Sequence, residues 1–150
     1  MILFVHMLFG AALGAKIHNP YFAILFSLLG HYFLDLFPHV EYSIHNIRTK
    51  DWQKAFFDMI KVVIDFLSAI VIILILSNNH PIIYFCAFVA LIPDALTVIS
   101  DAFPNKVLAW HDLWHTQKIH YLTKQKKFPI VWRIGTQVFF VIISILMLKS

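Results

Sequence analysis

Residues 52–76 read WQKAFFDMIKVVIDFLSAIVIILIL. After Ser68 the run holds no polar side chain, and it is longer than the about 20 residues a bilayer core requires. A segment this apolar and this long predicts a membrane-crossing helix, and the rest of the chain agrees. The protein has 150 residues, the size of one domain. Sixty per cent of them are hydrophobic and 13% charged, with a mean hydropathy of +0.76. Soluble domains carry about 25% charged residues, and a small domain hides only about two-thirds of its surface. An ordinary soluble globule, a disordered chain and a disulfide scaffold are therefore excluded; the lone Cys86 has no internal partner. The expected fold is all-α, an integral membrane helical bundle forming a single domain over residues 1–150.

Five hydrophobic segments are expected, at about 2–15, 20–37, 52–76, 81–103 and 128–148, with an amphipathic helix at about 105–123. The first is short for a span. No basic residue precedes it and His6 interrupts it, so it reads as a helix rather than a cleaved leader. Asn19-Pro20 makes a turn, Pro38 stops the second segment, and Pro93 predicts a kink near Ala90 to Pro93. Arg48, Lys50 and Lys54 flank one loop. Lys106, Lys118, Lys124, Lys126, Lys127 and Arg133 mark another, and the loop Ser77 to His80 has no basic residue. The positive-inside rule then predicts a multi-pass inner-membrane protein with a cytoplasmic N-terminus. The net charge of +4 is accounted for by these loops and calls for no nucleic-acid partner.

Nine histidines exceed the eight acidic residues combined. Ionisable groups inside a span are costly and are functional candidates by default. His6, Gly10 and Gly14 share one helix face, where the glycines allow close approach of another helix. His31 and Asp35 are four apart and meet on one face, with His39 just past Pro38. Asp58, Lys61, Asp65 and Ser68 form a stripe, Asp58–Lys61 reading equally as a surface pair. Asp94, Thr97 and Asp101 form another beside Pro93. His111 and His115 make an HxxxH pair, the spacing with which two imidazoles grip one ion, though without the Glu of HExxH. His120 falls about 140° from His115 on a regular helix of 3.6 residues per turn and is expected to face elsewhere. Arg133 and Gln137 are four apart, Arg133 reading either as a snorkelling anchor or as an anion clamp. His18, His45 and His80 read as loop residues. With the predicted topology, His6, His31, Asp35, His39, Asp65, Asp94, His111 and His115 fall in the cytoplasmic leaflet. Such a set points to a site for one or two divalent ions.

Three pieces together resemble a family of membrane-bound metal-dependent hydrolases of the bacterial inner membrane: His6-xxx-Gly10-xxx-Gly14, His31-xxx-Asp35 closing a span, and Leu91-Ile-Pro-Asp94. The resemblance implies a divalent-metal site on His6, His31, Asp35 and Asp94. This chain departs from the family pattern in having Leu96 where a second Asp stands, and in lacking the downstream arginine and His-Ser motif.

The expected activity is hydrolysis of a lipid-linked ester or phosphoester at the cytoplasmic interface. Its expected metal ligands are His6, His31, Asp35, Asp94, His111 and His115, with zinc as the metal. Asp65 is expected as ligand or general base, and Arg133 as stabiliser of developing negative charge. Membrane lipid is the expected partner, and oligomerisation is left open. The alternatives are a divalent-cation or proton transporter and a non-catalytic assembly protein.

Overall fold

The computed structural model describes residues 1–41, 46, 51–103, 105–120 and 128–150, without the side chains of Trp52, Asp101 and Ala102. The expected C-terminal end of the amphipathic helix, the basic residues Arg48, Lys50, Lys124, Lys126 and Lys127, His45 and the Asp101 side chain lie outside the described residues. Among those described, the regular structure is helical throughout: α1 (Leu3–Lys16), α2 (Pro20–Asp35), α3 (Trp52–Leu76), α4 (Pro81–Val89), α5 (Ile92–Ala102), α6 (Lys106–Trp114), a π-helical turn (His115–Ile119) and α7 (Ile130–Lys149).

Three stretches are long and apolar enough to cross a membrane: Gln53–Leu76, Pro81–Ser100 across the α4–α5 break, and Ile130–Lys149. The expectation of five spans is thus met in part. α1 has 14 residues and α2 has 16, so at about 1.5 Å per residue both are shorter than the hydrocarbon core. The helix exteriors are apolar; Phe57, Ile64, Ile75, Val131 and Trp132 all project outward. A surface of that kind suits hydrocarbon better than water.

α1 is the central element, packed against α2, α3, α4 and α7. Its Gly10 and Gly14 explain the closeness to α4. A Cβ on Gly10 would lie 2.6 Å from the Cys86 carbonyl oxygen, and one on Gly14 would lie 2.9 Å from the Cys86 Cβ. Met7, Leu8, Ala11, Ala12, Ile83 and Ala87 close the core behind this contact.

Helix ends leave backbone N–H groups that require partners. Asn19 covers the start of α2 by accepting from the amides of Tyr21 (3.0 Å) and Phe22 (3.3 Å). α1 has no such local cap. Its Phe4 amide donates instead to Asp65 Oδ2 of α3, at 2.7 Å. The expected kink is present: Pro93 has no amide hydrogen, the helix breaks at Ala90–Leu91, and the chain resumes as α5.

Candidate metal centre

The start of α1, the end of α2, the start of α5 and the π-helical turn meet at one end of the bundle. Asp35 lies at their meeting point, fully buried. Five imidazoles bring the same atom, Nε2, within 3.6 Å of its carboxylate. His31, His115 and His120 stand 3.0, 3.3 and 3.2 Å from Oδ2, and His6 and His39 stand 3.2 and 3.6 Å from Oδ1. The N-terminal ammonium of Met1 also pairs with Oδ1. Asp94 Oδ1 is 3.6 Å from His31 Nε2.

The outward-facing nitrogens explain this convergence. His31 Nδ1–H donates to the Ala90 carbonyl at 2.7 Å, the group that the α4–α5 break leaves without a helical partner. His39 Nδ1–H donates to the Phe37 carbonyl at 2.6 Å. His115 Nδ1–H donates to Thr97 Oγ1 at 3.1 Å, whose own hydrogen goes to the Pro93 carbonyl. His120 Nδ1–H donates to Glu41. A donating Nδ1 leaves the neutral ring with its lone pair on Nε2. His31 and His115 face each other, Nε2 to Nε2 at 3.2 Å, and His115 Nε2 also reaches Asp35 Oδ2 at 3.3 Å. His6 stacks on His31 with ring centroids 4.0 Å apart. It is fully buried, and neither of its nitrogens has a hydrogen-bond partner, the Asp35 contact being out of line. His39 Nε2 also reaches Glu41 at 2.9 Å, so His39 and His120 must each give up a proton to bind an ion. Convergent Nε2 atoms with the other nitrogens tied to carbonyls or a carboxylate are the arrangement of metal-ligating histidines. A divalent cation fits this donor set. His31, Asp35, Asp94 and His115 offer ligand atoms within 4.8 Å of one another, as do Asp35, His39 and His120.

The π-helical turn brings in His120, against expectation. Its amide donates to the His115 carbonyl at 3.2 Å, an i→i+5 bond. Widening the turn removes most of the 140° offset, and the two Nε2 atoms end 3.3 Å apart. His120 lies outside the spans, and its pKa is pushed up to about 9: burial opposes the charge, but hydrogen bonds to Asp35 and Glu41 outweigh it. Glu41 is held far below the usual carboxylate range. Burial again opposes, and hydrogen bonds from His120 and His39 prevail.

His39 and Glu41 sit on a strap after α2 that makes no helix. One turn of α7 holds its carbonyls. Thr136 donates to Pro38, Arg133 Nε to His39 at 2.7 Å, and Gln137 Nε2 to Val40 at 3.0 Å.

Of the residues expected at the site, the structure brings together His6, His31, Asp35, Asp94 and His115. It places three elsewhere. Asp65 covers the Phe4 amide of α1. Arg133 grips the strap. His111 stacks on His115 at 5.5 Å, yet its Nε2 accepts from Tyr32 Oη at 3.0 Å, away from Asp35. Asp58 pairs with Lys61 at 3.1 Å and with Asn46 at 2.6 Å, the surface reading of that stripe. Sequence reasoning missed Glu41 and His120 as site residues; the polar stripe Arg133-xx-Thr136-Gln137 on an apolar helix was the available signal for the strap contacts.

No protein-family model, curated protein or solved structure matches this chain.

Proposed function

We propose that the protein is a multi-pass inner-membrane hydrolase, metal-dependent, acting on lipid-linked ester or phosphoester substrates at the cytoplasmic membrane surface. One observation carries the reading: the Nε2 atoms of five buried or nearly buried histidines converge on Asp35 while their Nδ1 atoms, His6 excepted, are tied to outward partners. His31, Asp35, Asp94 and His115 would hold a divalent ion, and two imidazoles with two carboxylates suit zinc. When bound, that ion polarises a carbonyl or phosphoryl oxygen and makes water more acidic.

The chain's own groups supply the rest. The Ala90 carbonyl and Thr97 fix the orientation of His31 and His115. Glu41, partly exposed at the rim, accepts the proton-bearing Nδ1 of His120 and so orients that ring. A groove of about 630 Å³ runs between α2 and α7, lined by Phe33, Phe37, Trp132, Gly135, Thr136 and Phe140. Phe37 leads directly into the strap, so an acyl or prenyl tail in this groove would leave its head group near His39. The three membrane-length helices and the basic loops support the location. The resemblance to membrane-bound metal-dependent hydrolases points the same way. A transporter is less favoured, because beyond His6 the core is closed by Met7, Leu8, Ala11 and Ala12.

The test is elemental analysis of detergent-purified protein, wild type beside Asp35→Ala, paired with metal-dependent hydrolysis of micellar ester and phosphoester probes. Divalent metal is expected in the wild type and not in Asp35→Ala. Metal-free wild type after incubation with zinc would sink the reading.

A further inference from the structure

One four-coordinate ion cannot use all the donors gathered here. His31, Asp35, Asp94 and His115 already fill a tetrahedral set. His39 and His120 remain, buried, with their Nε2 atoms on the same carboxylate. With Asp35 they offer ligand atoms within 4.8 Å of one another, and the strap carbonyls are held by three side chains of α7, a substantial construction for one loop. Oδ2 faces His31, His115 and His120, and Oδ1 faces His39, His6 and the Met1 ammonium, so His120 and His39 approach the carboxylate at its two different oxygens. His6 Nε2 is fully buried, has no hydrogen-bond partner and lies 3.2 Å from Oδ1.

We propose that the cluster holds two cations, the second in a site formed by Asp35, His39 and His120, with the Asp35 carboxylate bridging the pair. This rests on the metal-centre reading above and narrows its substrate. Two divalent ions outweigh the charge of Asp35, Asp94 and Glu41 together, so the loaded centre is net positive and selects an anionic group. The substrate class is then a phosphoester rather than a neutral ester, since paired ions clamp the attacking and leaving oxygens of a phosphoryl group. Glu41, bonded to both His39 and His120, orients the second site from its rim.

The experiment is a Mn²⁺ titration of the detergent-solubilised full chain, counted by elemental analysis after desalting and read by electron paramagnetic resonance. Wild type is expected to retain two ions and give the spectrum of an exchange-coupled pair. His39→Gln and His120→Gln are each expected to retain one and give the spectrum of an isolated ion, with helicity by circular dichroism unchanged. One retained ion in the wild type, with an uncoupled spectrum, overturns the second site and leaves the hydrolase reading standing. No retained ion overturns both. The wild-type result decides even if a variant fails to fold. Inorganic phosphate then probes the charge. It is expected to bind Mn²⁺-loaded wild type about tenfold tighter than His120→Gln, as added charge at short range implies. Equal affinity would overturn the phosphoester assignment.

Discussion

The Nε2 atoms of His115 and His120 lie 3.3 Å apart although the residues are five positions apart in the chain, because the His120 amide bonds to the His115 carbonyl across a π-helical turn. A π turn is an α-helix with one extra residue. Removing Gln117 should therefore convert the segment to ordinary helix and leave the two histidines four apart, still on one face. Inserting an alanine after Gln117 should turn His120 away. Metal retention is expected to survive the deletion and to drop by the second ion in the insertion, as counted by elemental analysis.

Asp65 is assigned a structural role by its 2.7 Å contact with the Phe4 amide. Asp65→Ala should cost about 1 kcal/mol, the usual loss of a helix N-terminal acceptor, read as a lower unfolding midpoint in detergent. Its metal content should match the wild type. Loss of metal with unchanged stability would return Asp65 to the ligand set.

Arg133 holds the carbonyl of His39 through Nε at 2.7 Å. Removing an outer partner of a metal ligand usually weakens affinity by about 10–100-fold. Arg133→Met should therefore lower metal affinity in a competitive chelator titration. If Arg133 instead stabilises charge on the substrate, kcat should fall while metal affinity stays constant.

His111 and His115 separate the two meanings of an HxxxH spacing. His115→Ala should strip metal from the centre. His111→Ala should leave the metal content unchanged, because His111 is bound to Tyr32. Inductively coupled plasma analysis of both variants checks this.

Gly10 meets the Cys86 carbonyl so closely that an added methyl would sit 2.6 Å away. Backbone cannot yield as a side chain tip can. Gly10→Ala should destabilise the bundle by about 1–3 kcal/mol, as overpacking does, and the thermal midpoint of the wild type and variant compared in one detergent would reveal it.

Much of this centre was readable from spacing. The predicted topology put His6, His31, Asp35, His39, Asp94 and His115 in one leaflet, together with Asp65 and His111, which the structure turns to other partners. Gly10 and Gly14 announced close packing, and Pro93 announced the break that hands the Ala90 carbonyl to His31. The remainder depended on properties that spacing does not carry. The 3.6-residue period sends His120 the wrong way, since nothing in residues 115–119 marks a widened turn. Asp65 shares a stripe with polar neighbours, and only the nearness of α1 to α3 shows that it serves an amide. Glu41 stands in an irregular strap without periodicity. Its position follows from carbonyls held by Arg133, Thr136 and Gln137, about a hundred residues later in the chain.

That last separation bears on the order of events in the cell. Translation delivers helices in sequence, so His6, His31 and Asp35 leave the ribosome and meet long before α7 is made. Until α7 is inserted, the strap has nothing to grip and His39 and Glu41 have no fixed place. A nascent chain halted short of Arg133 would thus carry an unfinished centre, and full loading would wait for α7.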